Sequence, residues 1–147
     1  MARRWWPTLG CALALTTAAA PAPAWAQDSV ELARARQVLE YYQACERTRH
    51  FAPCWTLLSK RVQAEWAKQG RGTVTEYAES KGAGEARYSD FRVLQIRRSP
   101  SRVVFVVEAT HRAEPAGGRD RVEYALLRES GRWKVDGLRV GQSETTP

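Results

Sequence analysis

Two cysteines and a histidine hold the densest chemistry in the sequence. Cys45, His50 and Cys54 stand in the pattern C-x4-H-x3-C, with Glu46 beside the first cysteine. Two thiolates and an imidazole are ligands for zinc or copper. The spacing matches no standard zinc module, and an oxidising compartment removes thiolates. A redox-active pair would use C-x-x-C geometry to tune its thiols, whereas eight residues separate Cys45 from Cys54. The pattern therefore reads as a disulfide, Cys45–Cys54, ahead of two free buried thiols, with no metal and no cofactor. Closing a ring of about ten residues contributes roughly 2.5–3 kcal/mol on the chain-entropy account. Against a total stability of about 5–15 kcal/mol that is a large share.

Other reactive side chains are sparse. His50 and His111 are the only histidines, too few for a multi-histidine site. His111 shares the strand phase of Phe105 and Val107 and could face an interior; its plainer role is a strand-edge histidine satisfied by backbone or water. Among the acids, Asp90 and Glu108 fall on strands, and Glu108 has the phase opposite Phe105 and Val107. Ser59, Ser80 and Ser130 lack the flanking glycines of a nucleophile elbow. There is no phosphate loop, dinucleotide fingerprint or calcium loop. The aromatics Tyr42, Trp55, Trp66, Tyr77, Phe91, Phe105, Tyr124 and Trp133 are mostly core by their size.

These residues sit on helices first and strands afterwards. Asp28-Ser29-Val30-Glu31 reads as a capping box, followed by an apolar stripe of Leu32, Ala35, Val38, Leu39, Tyr42 and Cys45. Pro53 suits the first turn of a short second helix. Ser59 reads as the N-cap of a third segment carrying Val62 and Trp66, ended by Gly70. Thr73-Val74-Thr75-Glu76 opens a fourth, closed by Gly82 and Gly84. Strand character begins near Tyr88, and a phase break at Val93-Leu94 predicts a bulge. Arg102–Arg112, Arg121–Glu129 and Arg132–Val140 read as three more strands, the last two joined at Ser130-Gly131. This order predicts an α+β fold, with N-terminal helices packed on a bent antiparallel sheet.

The first 26 residues read as a secretory signal peptide. Arg3 and Arg4 form a positive start, Trp5 to Ala20 is mostly apolar, and Ala24-Trp25-Ala26 offers small residues for cleavage. A retained anchor, a twin-arginine signal and a lipoprotein site at Cys11 fit less well. Residues 27–147 then form a single domain of 121 residues with no membrane span, in the periplasm or secreted. Two cysteines remain after cleavage, an even number that favours pairing in an oxidising compartment. The net charge of the 147-residue sequence is +7 and falls to +5 without Arg3 and Arg4. Such a balance could attract anionic lipid, polysaccharide or nucleic acid. Arg97, Arg98 and Arg102 cluster around Ser99-Pro100-Ser101, which reads as a wet turn. The aromatic interleaving of a single-strand platform is missing, so no nucleic acid is expected.

Three pieces of sequence carry a family likeness. They are Leu39-Glu40-Tyr41-Tyr42-Gln43-Ala44, Phe51-Ala52-Pro53-Cys54-Trp55-Thr56-Leu57-Leu58-Ser59, and the closing strands with Gly131-Arg132-Trp133-Lys134-Val135. Together they resemble the nuclear transport factor 2-like superfamily, which includes ketosteroid isomerases and polyketide cyclases. The resemblance implies a cone-shaped α+β barrel whose mouth is lined by a few aromatics; Tyr42, Trp66, Tyr77 and His111 are the candidates. The isomerase branch pairs a carboxylate base with a tyrosine-bearing oxyanion hole. Tyr42 could supply the tyrosine, and Asp90 or His111 would have to serve as base. Neither matches convincingly, so the expectation is a non-enzymatic domain that binds a small apolar ligand or an envelope protein. An assembly component of the envelope and an isomerase-type enzyme are the alternatives. A homodimer of this chain through its sheet is a further expectation.

Overall fold

Alternating apolar and polar residues make the strands, and tight turns set their pairing. The computed structural model describes residues 24–114 and 118–141. Strands β1 (Tyr88–Ser99), β2 (Arg102–His111), β3 (Arg119–Glu129) and β4 (Arg132–Gly141) run antiparallel in the order β1-β2-β3-β4. Ser130 and Gly131 both have positive φ, 49° and 78°, the left-handed pair that matches a two-residue turn to the twist of its strands. The phase break at Val93-Leu94 is a bulge. The register passes from Val93–Val107 to Gln95–Val106, which leaves Leu94 unpaired and exposed. A second bulge falls on Asp136, since Val135 pairs with Leu126 and Gly137 with Ala125.

The strands do not close a barrel. The sheet has two edges, β1 and β4, and helices complete the cone. These are α1 (Ala24–Thr48), a short 3-10 helix (Ala52–Leu57), α2 (Lys60–Lys68) and α3 (Val74–Gly82). Ala35, Leu39 and Tyr42 of α1 pack into one buried cluster with Val103, Phe105, Val107 and Ala109 of β2 and Val122, Tyr124 and Leu126 of β3. Among the described residues no helix is long and apolar enough to cross a membrane.

The helix ends follow local chemistry, with one correction. Ser59 caps α2, its Oγ accepting from the Val62 backbone N–H at 3.2 Å. Thr73 and Glu76 form both halves of a capping box on α3. At the other end of α3, the Arg49 guanidinium donates to the carbonyls of Lys81 and Ala83 and satisfies acceptors that a helix end leaves open. Gly82 lets that approach happen, because a Cβ there would sit 2.9 Å from the Arg49 carbonyl oxygen. The capping box expected at Asp28 is absent. The helix already runs through Asp28 from Ala24, so Glu31 is not in a first turn. Its carboxylate instead pairs with Arg34 at 2.8 Å and accepts from Trp133 Nε1 at 3.1 Å.

Residues 1–23 of the signal-type segment and the tail 142–147 lie outside the described residues. Cys45, near the end of α1, and Cys54, in the 3-10 helix, stand at disulfide-bonding distance with Cα atoms 6.7 Å apart. This link holds the helical corner against the sheet.

Candidate functional site

The four aromatic and histidine candidates lie along one line of rings rather than around one opening. Trp66 of α2 meets Tyr77 of α3 at a centroid distance of 5.2 Å, and Tyr77 meets Phe51 at 6.1 Å. Phe51 meets Tyr42 of α1 at 6.3 Å, and Tyr42 meets Tyr124 of β3 at 6.3 Å. Beyond Tyr124 come Phe91, Tyr88 and finally His111, at 6.5, 5.7 and 5.7 Å. Most of these contacts are edge-to-face, the arrangement that the ring quadrupole favours. Tyr42, Tyr77, Tyr124, Phe51 and Phe105 are all buried to 4% exposure or less. The rings pack one against the next between helices and sheet, with Trp66 half-buried at one end of this series of contacts and His111 at the other. Tyr42 and His111 do not meet, with Tyr124, Phe91 and Tyr88 between them.

A carboxyl group sits within this line. Glu46, on α1 one turn beyond Tyr42, is buried and accepts a short hydrogen bond from the Tyr124 hydroxyl. Burial holds its pKa above the ordinary carboxylate value and outweighs the Tyr124 bond and the nearby Lys81 and Arg49 charges, which act the other way. Burial likewise pushes the Tyr42 and Tyr124 hydroxyls up and raises Tyr77 to about 12. Lys81 is pulled down by the same loss of water. The interior is a place where neutral forms are favoured.

A second acid closes the far end. Asp120 opens β3 in phase with Val122 and Tyr124. Its Oδ2 accepts from the Tyr88 hydroxyl at 2.7 Å and pairs with Arg87 at 2.8 Å. His111 Nε2 lies 3.1 Å from the same oxygen, although not aligned as a hydrogen bond. Burial pushes the Asp120 pKa up, but the hydrogen bond from Tyr88 and the nearby His111 and Arg87 together hold it below its ordinary value. Asp90 is exposed, and Glu108 lies on the outer face of the sheet, paired with Arg92 at 3.0 Å and Arg119 at 3.5 Å. Glu46 and Asp120 are therefore the acids that the cone brings inward. Both had a signal in the sequence: Glu46 continues the 35/39/42 stripe of α1, and Asp120 sits in the apolar phase of β3.

The outer face of the sheet is built differently. A trough of about 550 Å³ crosses it. Its floor is one row of small residues, Val104, Ala125 and Gly137, aligned by register across β2, β3 and β4, with Arg97 of β1 completing the row. Five arginines and two carboxylates line it: Arg61, Arg97, Arg98, Arg102 and Arg139, with Glu123 and Asp136. Asp136 is buried. It accepts from Ser59 Oγ at 2.8 Å and from Arg61 Nε at 3.0 Å, which ties α2 to the bulge of β4.

Comparison with solved structures supports this architecture. A protein of unknown function from Shewanella baltica, described as NTF2-like, superposes with a TM-score of 0.55 at 12% identity, covering 83% of this chain and 100% of its own. A second, from Silicibacter pomeroyi and described in the same way, gives 0.51 at 13% identity, covering 78% and 98%. The chain has the nuclear transport factor 2-like fold. In this NTF2-like domain the helices complete what the four strands leave open. No family model matches the sequence, and no curated protein matches it. Identities this low establish the fold, and the fold hosts many functions, so the site must be argued from its own chemistry.

Proposed function

We propose that the chain is an exported, non-catalytic NTF2-like binding domain of the cell envelope that meets its ligand or partner on the outer face of its sheet. The carrying observation is the contrast between a cone filled by Tyr42, Phe51, Tyr77 and Tyr124 and an open, arginine-walled trough on the opposite face. A small apolar ligand in the cone would have to displace close-packed rings, at a cost of the order of core repacking, about 1–3 kcal/mol or more. Export is supported by the signal-type first 26 residues and by the Cys45–Cys54 pair at bonding distance, since such pairs persist in oxidising compartments.

Intact mass of protein recovered from its own compartment tests this reading, first under native and then under denaturing conditions. The expected polypeptide starts at Gln27 and is two hydrogens light until reduced, and extra native mass lost on denaturing is the bound ligand. A chain that retains residues 1–26 and two free thiols would contradict export.

One observation favours a second reading, isomerase- or hydratase-type chemistry. His111 and Asp120, with Tyr88 hydrogen-bonded to the acid, form a polar group at the end of the ring line. A general base must reach its proton directly or through one water. A ligand-bound structure with no ligand atom in hydrogen-bond reach of His111 or Asp120 would remove this reading.

A further inference from the structure

The basic cluster around Ser99-Pro100-Ser101 is more than a wet turn. Arg97 and Arg102 flank that turn on adjacent strands, and the fold brings Arg61 from α2 and Arg139 from β4 to the same trough. Not all of these cations are neutralised. Arg97 is paired with Glu123 at 2.6 Å, and Arg61 is held by Asp136 and Glu65. Arg102 reaches its nearest carboxylate, on Asp136, only at 3.8 Å. Arg139 has no ion-pair partner among the described residues and is exposed. Between these walls the floor of Val104, Ala125 and Gly137 offers little bulk, so a ligand can lie against the sheet. The trough's volume, about 550 Å³, falls within the range of small-molecule sites, about 300–1,000 Å³.

We infer, granting the outer-face contact proposed above, that the trough binds a small multivalent oxyanion, a molecule with two or more phosphate or carboxylate groups. Arg102 and Arg139 supply the primary donors. A guanidinium presents a planar fork of N–H donors that matches either group in bidentate fashion. Two separated guanidiniums favour a ligand with two anionic groups over one with a single charge. The excess of arginine over carboxylate in the trough also opposes a second copy of this chain seated sheet to sheet, which would bring like charges together.

The test is an NMR titration of the full exported chain with pyrophosphate in one arm and citrate in the other, at low and at high salt. The expected result is saturable shifts at the amides of Ala125, Gly137 and Leu138, with affinity that falls as salt rises. Binding by pyrophosphate alone assigns the phosphate class, citrate alone the carboxylate class, and binding by both a general oxyanion site. Arg139→Glu and, separately, Arg102→Glu should each weaken binding by about tenfold or more. Arg139 makes no ion pair among the described residues, so its substitution should leave the scaffold intact. Shifts insensitive to both substitutions, or a dimer that buries Ala125 and Gly137, would overturn the inference. If neither anion binds while a neutral ligand moves the same amides, the oxyanion class fails and the outer-face contact stands. If a ligand instead moves the amides of Tyr77 and Tyr124, the outer-face contact itself fails.

Discussion

Inside the cone, polar groups are few and surrounded by rings; on the outer face of the same sheet, charge is abundant and open to water. Glu46 and Asp136 show the difference. Glu46 is buried against Tyr124 among aromatic side chains, and loss of water favours its neutral form. Asp136 is equally buried but collects Ser59 and Arg61 at the rim of the arginine trough. Burial raises the pKa of the first acid, and the second is surrounded by donors. The contrast teaches that one four-stranded sheet separates a packed, ring-filled face from a charged, open one, and that strand phase assigns each residue to one or the other.

Substitutions on the two faces should therefore behave differently. The largest effect is expected from Phe105→Ala on the inner face, about 3–5 kcal/mol lost in a urea unfolding curve. A loss below about 1 kcal/mol would mean that the cone is loosely packed. Removing the link between α1 and the 3-10 helix with Cys45→Ala and Cys54→Ala together should cost about 2.5–3 kcal/mol, read from the same curve. Tyr124→Phe removes the hydroxyl that Glu46 accepts from and should cost about 1–3 kcal/mol.

The pH dependence sharpens the comparison further, because two inward acids carry opposite signs. Glu46 has a folded pKa raised above its ordinary 4.5. Its contribution is fully present below that value and is lost as pH rises through the folded pKa. Asp120 is lowered from 3.8, so its contribution is present above that value and is lost as pH falls through the folded pKa. Glu46→Gln should flatten the decline on the rising side, and Asp120→Asn the decline on the acid side. Stability measured across pH with each variant checks both. The smallest effect belongs to the outer face, where Arg139→Glu should change stability by no more than about 0.5 kcal/mol while altering anion binding.

Local chemistry made much of the fold legible. The cap at Ser59, the capping box at Thr73, the turn at Ser130-Gly131 and the bulge at Leu94 each depend on a few adjacent residues, and each is found in its expected place. Asp28 misled because a capping box resembles any Asp-x-x-Glu, and only the residues before it decide whether a helix has already begun. The site was less legible. Tyr42, Tyr77, Trp66 and His111 were expected to line the mouth of the cone, whereas their ring-to-ring packing depends on how the helices meet one another and the sheet. The trough is harder still to read, since Arg61, Arg97, Arg102 and Arg139 come from four separate elements. They meet only through strand register and the bulge at Asp136.

The central claim is that the cone is full. Xenon enters empty apolar cavities and leaves packed interiors untouched, so shift mapping of the folded chain under xenon pressure tests the claim directly. The account predicts no saturable shifts at the amides of Phe51, Tyr77, Phe105 and Tyr124. Saturable shifts at those residues would reveal an open interior and return the ligand site to the cone.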